Sequence, residues 1–224
     1  MVEVELRVVD DPALEVAGLL AAAARAGESI VLTGGSTPRR AYELAAELEP
    51  DWSGATVWWG DERCVPPGDA RSNFGMARGA LLDRLQRAPR EIHRVRGELD
   101  PEAAAQLYEG ELRGVALDLL LLGIGADGHT ASLFPNAPAL AERERLVVRA
   151  EAGLEPFVPR VTLTLPAIAA ARHVVFLATG AGKADAVARA FRDAPSRDTP
   201  ASLARGRRTT AVLDAAAAEL LLET

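Results

Sequence analysis

Apolar residues in this chain fall into short runs separated by stretches with helical spacing. The first run alternates: Val2, Val4, Leu6 and Val8 interleave with Glu3, Glu5 and Arg7, the period-2 pattern of a strand. Asp10 or Asp11 can cap the helix that follows, Pro12 suits its first turn, and Gly27 ends it. Apolar runs of strand length then recur at 30–33, 56–59, 117–122, 174–178 and 210–213. Between them the spacing predicts helices over 38–48, 73–87, 101–113 and 183–192. Strands apolar throughout are covered on both faces, which predicts an α/β fold: a mainly parallel sheet sandwiched by helices. Two stretches escape the pattern. Residues 135–160, holding Pro138, Pro156 and Pro159, read as a small excursion or flap, and 193–200 as a surface loop. No repeat or low-complexity linker divides the 224 residues, so one domain over 1–224 is expected.

Composition narrows the chemistry. Acidic residues outnumber basic ones, 32 to 25, for a net charge of −7, which argues against a nucleic-acid partner. The single cysteine, Cys64, excludes an internal disulfide or a multi-cysteine metal site and fits a reducing compartment. The N-terminus carries charges where a signal peptide needs an apolar core, and no run approaches a membrane span. A soluble cytoplasmic protein without a membrane partner is the expectation. Oligomeric state, whether monomer or small homo-oligomer, is not legible.

Four polar turns each follow an apolar strand: Gly34-Gly35-Ser36-Thr37-Pro38, Gly60-Asp61-Glu62-Arg63, Gly123-Ile124-Gly125-Ala126-Asp127-Gly128-His129 and Gly180-Ala181-Gly182-Lys183. In an open parallel sheet, carboxyl ends of strands share one edge and ligands bind there, so the four turns are expected to converge on one crevice. The first turn suits a phosphate cradle of free N–H groups and hydroxyls, or else a plain strand-to-helix turn capped by Ser36 or Thr37. The last is no Walker A loop, since Leu177 stands in the first glycine position. Yet a chain with 25 basic residues keeps its only lysine, Lys183, in this turn, where it can meet a phosphate as a point charge. Arg160, opening a strand-like segment, is a second candidate for the same anion.

The third turn matches Gly-x-Gly-x-x-Gly, but Asp127 would oppose a pyrophosphate and Pro135 would cut short the helix a dinucleotide needs. Its distinguishing feature is Asp127-Gly128-His129: an imidazole able to accept a proton near neutrality, with a carboxylate placed to orient it or to hold a substrate hydroxyl. His93 and His173 fall at strand ends without polar company and read as structural; with no ligand spacing among the histidines, no protein-bound metal is expected. Arg63 can neutralise an oxyanion or grip a carboxylate, with Asp61, Glu62 and Asn73 beside it as weaker substrate contacts, along with Gly34.

Taken together, the segments 33–38, 60–66 with 72–74, 122–135, 160–164, 180–184 and 212–214 resemble, in order, the signature stretches of the glucosamine-6-phosphate isomerase/6-phosphogluconolactonase family. The resemblance is to its lactonase branch. It implies a Rossmann-like α/β fold, no cofactor, and hydrolysis of 6-phospho-D-glucono-1,5-lactone to 6-phosphogluconate in the oxidative pentose phosphate pathway. It further implies His129 as the catalytic residue supported by Asp127, Arg63 at the lactone end, and Gly35, Ser36, Thr37, Arg160 and Lys183 on the phosphate. Two rivals stay open. One is a glucosamine-6-phosphate deaminase or isomerase, which would reuse the cradle and the Asp-Gly-His turn. The other is a non-catalytic sugar-phosphate-binding module, which has no use for Asp127, His129 and Arg63 together.

Overall fold

A computed structural model of the chain describes residues 3–222. Its strands are β1 (Val4–Val8), β2 (Ser29–Leu32), β3 (Thr56–Trp59), β4 (Asp61–Arg63), β5 (Glu91–Ile92), β6 (Leu119–Gly123), β7 (Val147–Ala150), β8 (Arg160–Leu163), β9 (His173–Ala178) and β10 (Arg208–Leu213). Its helices are α1 (Pro12–Arg25), α2 (Ser36–Leu48), α3 (Asn73–Ala80), α4 (Pro101–Leu112), α5 (Leu165–Ala170), α6 (Ala184–Phe191) and α7 (Ala215–Leu222). Val2, the first apolar position of the expected β1 pattern, lies outside the described residues.

Seven strands form an all-parallel sheet in the order β1-β10-β9-β6-β2-β3-β5. Successive side chains along the inner strands β2, β3, β6, β9 and β10 enter two separate cores, as period-2 geometry requires. Val31, Trp58, Leu120, Leu122, Val174 and Phe176 pack with α4, α5, α6 and α7. Ile30, Leu32, Val57, Trp59, Leu119, Leu121 and Val175 pack with α1, α2 and α3. Burial of both faces explains why these apolar runs do not alternate, and the expected α/β architecture, a parallel sheet between helical layers, is the one observed.

The chain winds from β2 outward to β3 on one side, while β6, on the other side of β2, leads outward to β9. A crevice therefore opens beyond the carboxyl ends of β2 and β6, where the winding reverses. The turns after β9, β6, β2 and β3, contiguous strands in the sheet, surround it.

Several expected elements differ in extent or kind. The helix expected over 73–87 stops at Ala80: Leu81 leaves helical dihedrals (φ −127°, ψ −69°) to bury its side chain, and a 3-10 turn follows at Leu82–Arg84. The stretch 135–160 is not a featureless flap. It carries a 3-10 turn (Pro138–Ala141) and β7, which with β8 and β4 makes a second, antiparallel sheet in the order β4-β8-β7. Short strands interrupted by prolines show no periodicity of their own; long-range pairing defines them. Among the described residues, no helix is long and apolar enough to cross a membrane.

Candidate active site

All four polar turns reach one cavity of ≈ 190 Å³, and its lining includes Gly34, Gly35, Asp61, Arg63, Asn73, Gly125, His129, Arg160 and Lys183. His129 and Lys183, 54 residues apart in sequence, thus face the same space.

The His129 side is built by a tight turn after β6. Gly125 N–H donates to His129 C=O at 2.8 Å, Gly128 N–H to Gly125 C=O at 2.9 Å, and Thr130 Oγ1–H back to Gly123 C=O at 2.8 Å. No helix follows, which removes the dipole a dinucleotide site needs. The Asp127 carboxylate accepts the His129 backbone N–H at 3.1 Å and sits 2.6 Å from ring Nδ1. Burial pushes the Asp127 carboxyl up, but the bonds from the His129 ring and backbone outweigh it, and the net position is below the usual value. A carboxylate so held makes Nδ1 the protonated nitrogen and leaves the Nε2 lone pair free. The ring also packs against Phe134, centroids 4.8 Å apart. Gly125 is obligatory here, because a Cβ at that position would occupy the space of His129 Nδ1 and Asp127 Oδ1.

The opposite side is the β2–α2 turn. Gly35 starts α2 in left-handed backbone (φ 112°), no side chain caps the helix, and no acidic residue stands in its first turn. The plain capped turn left open by the sequence is therefore not what forms; uncapped first-turn N–H groups remain, the usual setting for an anion. Ser36 is exposed and Thr37 half-buried, in the first turn of α2 but outside the cavity lining. Thr37 Oγ1 lies 3.2 Å from Thr179 Oγ1, which joins this turn to the one carrying Lys183.

The third wall is β4 against β8. Register places Arg63 opposite Arg160. Arg160 is not the solvated arginine its residue type suggests: it is 4% exposed, donates to Leu154 and Pro156 carbonyls, and stands 5.8 Å from the Phe134 centroid. Burial, then the facing Arg63, lowers its basicity, while Asp61 and Glu62 partly compensate. Arg160 lines the same cavity as Lys183, faces Arg63 across the strand pair and, with His129, flanks Phe134. Facing like charges repel, so this wall is prepared for an anion.

The weaker candidates divide. Asp61 lines the cavity and accepts from Ser132 Oγ at 2.6 Å and Asn73 Nδ2 at 3.1 Å, tying the His129 turn to α3. Asn73 lines it as well, its amide lying so close to Gly34 that any Cβ there would collide with it. Glu62 turns away: its carboxylate accepts the N–H groups of Arg63, Asn73 and Phe74, each at 2.7 Å, and the Ser72 hydroxyl at 3.0 Å. It anchors the start of α3 and is absent from the cavity lining.

Both tyrosines brace strand ends below the site. Tyr42 Oη accepts from Thr33 N–H at 2.8 Å and donates to Thr33 C=O at 2.7 Å; Tyr108 does the same for Trp59 at 2.8 and 2.9 Å. Burial pushes both phenols up, so they remain protonated donors. Sequence reasoning missed these braces and gave Asp214, within the 212–214 segment, no role; it accepts the Gly180 N–H. The two remaining histidines do have polar company. His93 stacks on Trp58 between Glu111 and Glu91, and His173 Nε2 lies 2.8 Å from Thr210 Oγ1.

Known proteins resemble this chain in sequence and in fold. The 6-phosphogluconolactonase of Streptomyces coelicolor is 42% identical, the match covering 90% of this chain and 85% of that one. The solved 6-phosphogluconolactonase from Trypanosoma cruzi superimposes with a TM-score of 0.84 at 30% identity, over 98% of this chain and 97% of that one. A monomeric glucosamine-6-phosphate deaminase reaches a TM-score of 0.87 at 20% identity over 97% and 99% of the two chains, a likeness of fold alone. The family model for glucosamine-6-phosphate isomerases/6-phosphogluconolactonase matches residues 7–213, and the chain belongs to that family.

Proposed function

We propose that the protein hydrolyses 6-phospho-D-glucono-1,5-lactone to 6-phosphogluconate, with His129 as general base. The observation that carries this reading is one cavity shared by an imidazole oriented from behind and a lysine with no ion-pair partner among the described residues. Lys183 and the Gly35, Ser36 and Thr37 turn hold the phosphate, Lys183 as a point charge and the turn through free N–H groups. Arg160, in the same cavity, is the second cation for that phosphate.

At the other end of the sugar, Nε2 of His129 takes a proton from water as its oxygen attacks C1. Arg63 stabilises the oxyanion that forms on the carbonyl. Collapse of the tetrahedral species breaks the bond from C1 to the ring oxygen, and protonated His129 returns its proton to that oxygen. Asp127 keeps the ring in its reactive tautomer and stabilises the imidazolium between the two transfers.

The test is lactone hydrolysis measured on freshly generated substrate, with the spontaneous rate subtracted. His129→Ala is expected to lower kcat by about 10²–10⁴-fold; retention of half the activity overturns the role. Lys183→Ala is expected to raise KM with kcat little changed, by about 1.5–3 kcal/mol of lost binding. Ammonia release from glucosamine 6-phosphate would select the deaminase reading instead.

A further inference from the structure

The cavity lysine sits on a turn supported from the far end of the chain. Gly180 leaves β9 in left-handed backbone (φ 88°), and Lys183 N–H closes the turn onto Gly180 C=O at 3.0 Å. Gly180 N–H donates to both oxygens of Asp214, at 3.0 and 2.9 Å. The same carboxylate accepts Ala217 N–H at 2.7 Å, and Asp214 C=O accepts Ala218 N–H at 3.1 Å, so Asp214 also caps α7.

The register explains the reach. Leu213 pairs with Ala178, so Asp214 follows the end of β10 as Thr179 follows the end of β9. Thr179 in turn meets Thr37 at 3.2 Å. One carboxylate therefore holds the start of the lysine turn, and that turn abuts the β2–α2 turn. Asp214 itself is not among the cavity-lining residues.

We propose that Asp214 is a positioning residue for the phosphate end of the site, fixing the Gly180–Lys183 turn so that the ammonium and the β2–α2 turn meet one anion. By accepting the Gly180 N–H, it leaves the lysine side chain as this turn's contribution to the ligand. The inference rests on the reading of Lys183 as the phosphate contact.

The informative variant is Asp214→Ser, whose hydroxyl keeps a good helix cap for α7 but is too short to serve Gly180 as well. For the phosphorylated lactone, KM is expected to rise about ten-fold with kcat within about two-fold of the parent. Asp214→Asn keeps the oxygen that accepts both N–H groups but turns its amide NH2 toward Gly180 N–H, and its KM is expected to fall between those of the parent and Asp214→Ser. In a Lys183→Ala background, Asp214→Ser is expected to add less than about two-fold, since the two act through one contact.

A merely structural role would lower the active fraction, so that kcat falls with KM unchanged; that result overturns the proposal. Additive effects of Lys183→Ala and Asp214→Ser overturn it too. Lys183→Ala raising KM while Asp214→Ser does not would overturn the positioning role alone. An unchanged KM in Lys183→Ala would remove the phosphate assignment and this inference together.

Discussion

The Gly125 contact offers a sharp test of the dyad, because a single methyl group reaches both of its members. A Cβ at Gly125 would coincide with the ring edge of His129 and the near oxygen of Asp127, and neither lies at the far end of a long flexible chain. Forcing a methyl into a packed site costs about 1–3 kcal/mol. The available relief is rotation of the imidazole away from Asp127, which breaks the 2.6 Å contact and the charge-assisted bond that goes with it, worth about 1.5–3 kcal/mol. Gly125→Ala should therefore lower kcat by about 10²-fold or more, the typical worth of a positioned base. Thermal stability should fall by about 2–12 °C, at about 2–4 °C per kcal/mol for a chain of this size. Gly182→Ala is the control: it neighbours Lys183, yet nothing lies within 4 Å of the added carbon, so kcat should be retained. Steady-state kinetics with a melting curve decides the matter. A Gly125→Ala variant within about three-fold of the parent kcat would refute the claim that the Asp127–His129 geometry governs the rate.

Glu62→Gln turns an amide group toward donors that now meet a carboxylate oxygen. A loss of about 1–3 kcal/mol is expected, visible as a lower Tm and a lower kcat as Arg63 loosens; an unchanged Tm would show that Glu62 does not anchor α3. His173 is held below its ordinary value of 6.5 by burial first and then by Arg208 and Arg7. The unfolded chain then binds more protons, so this contribution to stability is present above pH 6.5 and is lost as pH falls through the lowered folded value. Urea midpoints at about pH 7.5 and 5.5 should drop less in His173→Gln than in the parent; equal drops would refute the assignment.

Much of the site was legible because local chemistry and strand position coincide. Gly34–Thr37, His129 and Lys183 each stand directly after an apolar run, and an all-parallel sheet carries the ends of such runs to one edge. Arg63 and Arg160 were legible as separate candidates, but not as neighbours. Their juxtaposition comes from the antiparallel β4–β8 pairing, which joins a three-residue strand to one nearly a hundred residues later. Glu62 looked like a ligand contact because an acid beside Asp61 and Arg63 suggests one; which way its side chain points depends on where α3 begins.

From the residues alone came the α/β class, the order of β1, β2, β3, β6, β9 and β10 with helices α1 to α4 and α6 between them, and the turns that carry the chemistry, since these follow from periodicity and residue type over a few positions. The tertiary structure decided the rest. It placed β6 beside β2, opened the crevice between them, set two arginines face to face, and brought the Asp214 carboxylate from the end of β10 to the lysine turn. Those relations arise only when distant segments close on one another, because each depends on which strands pair and on the free energy of burying both sheet faces at once.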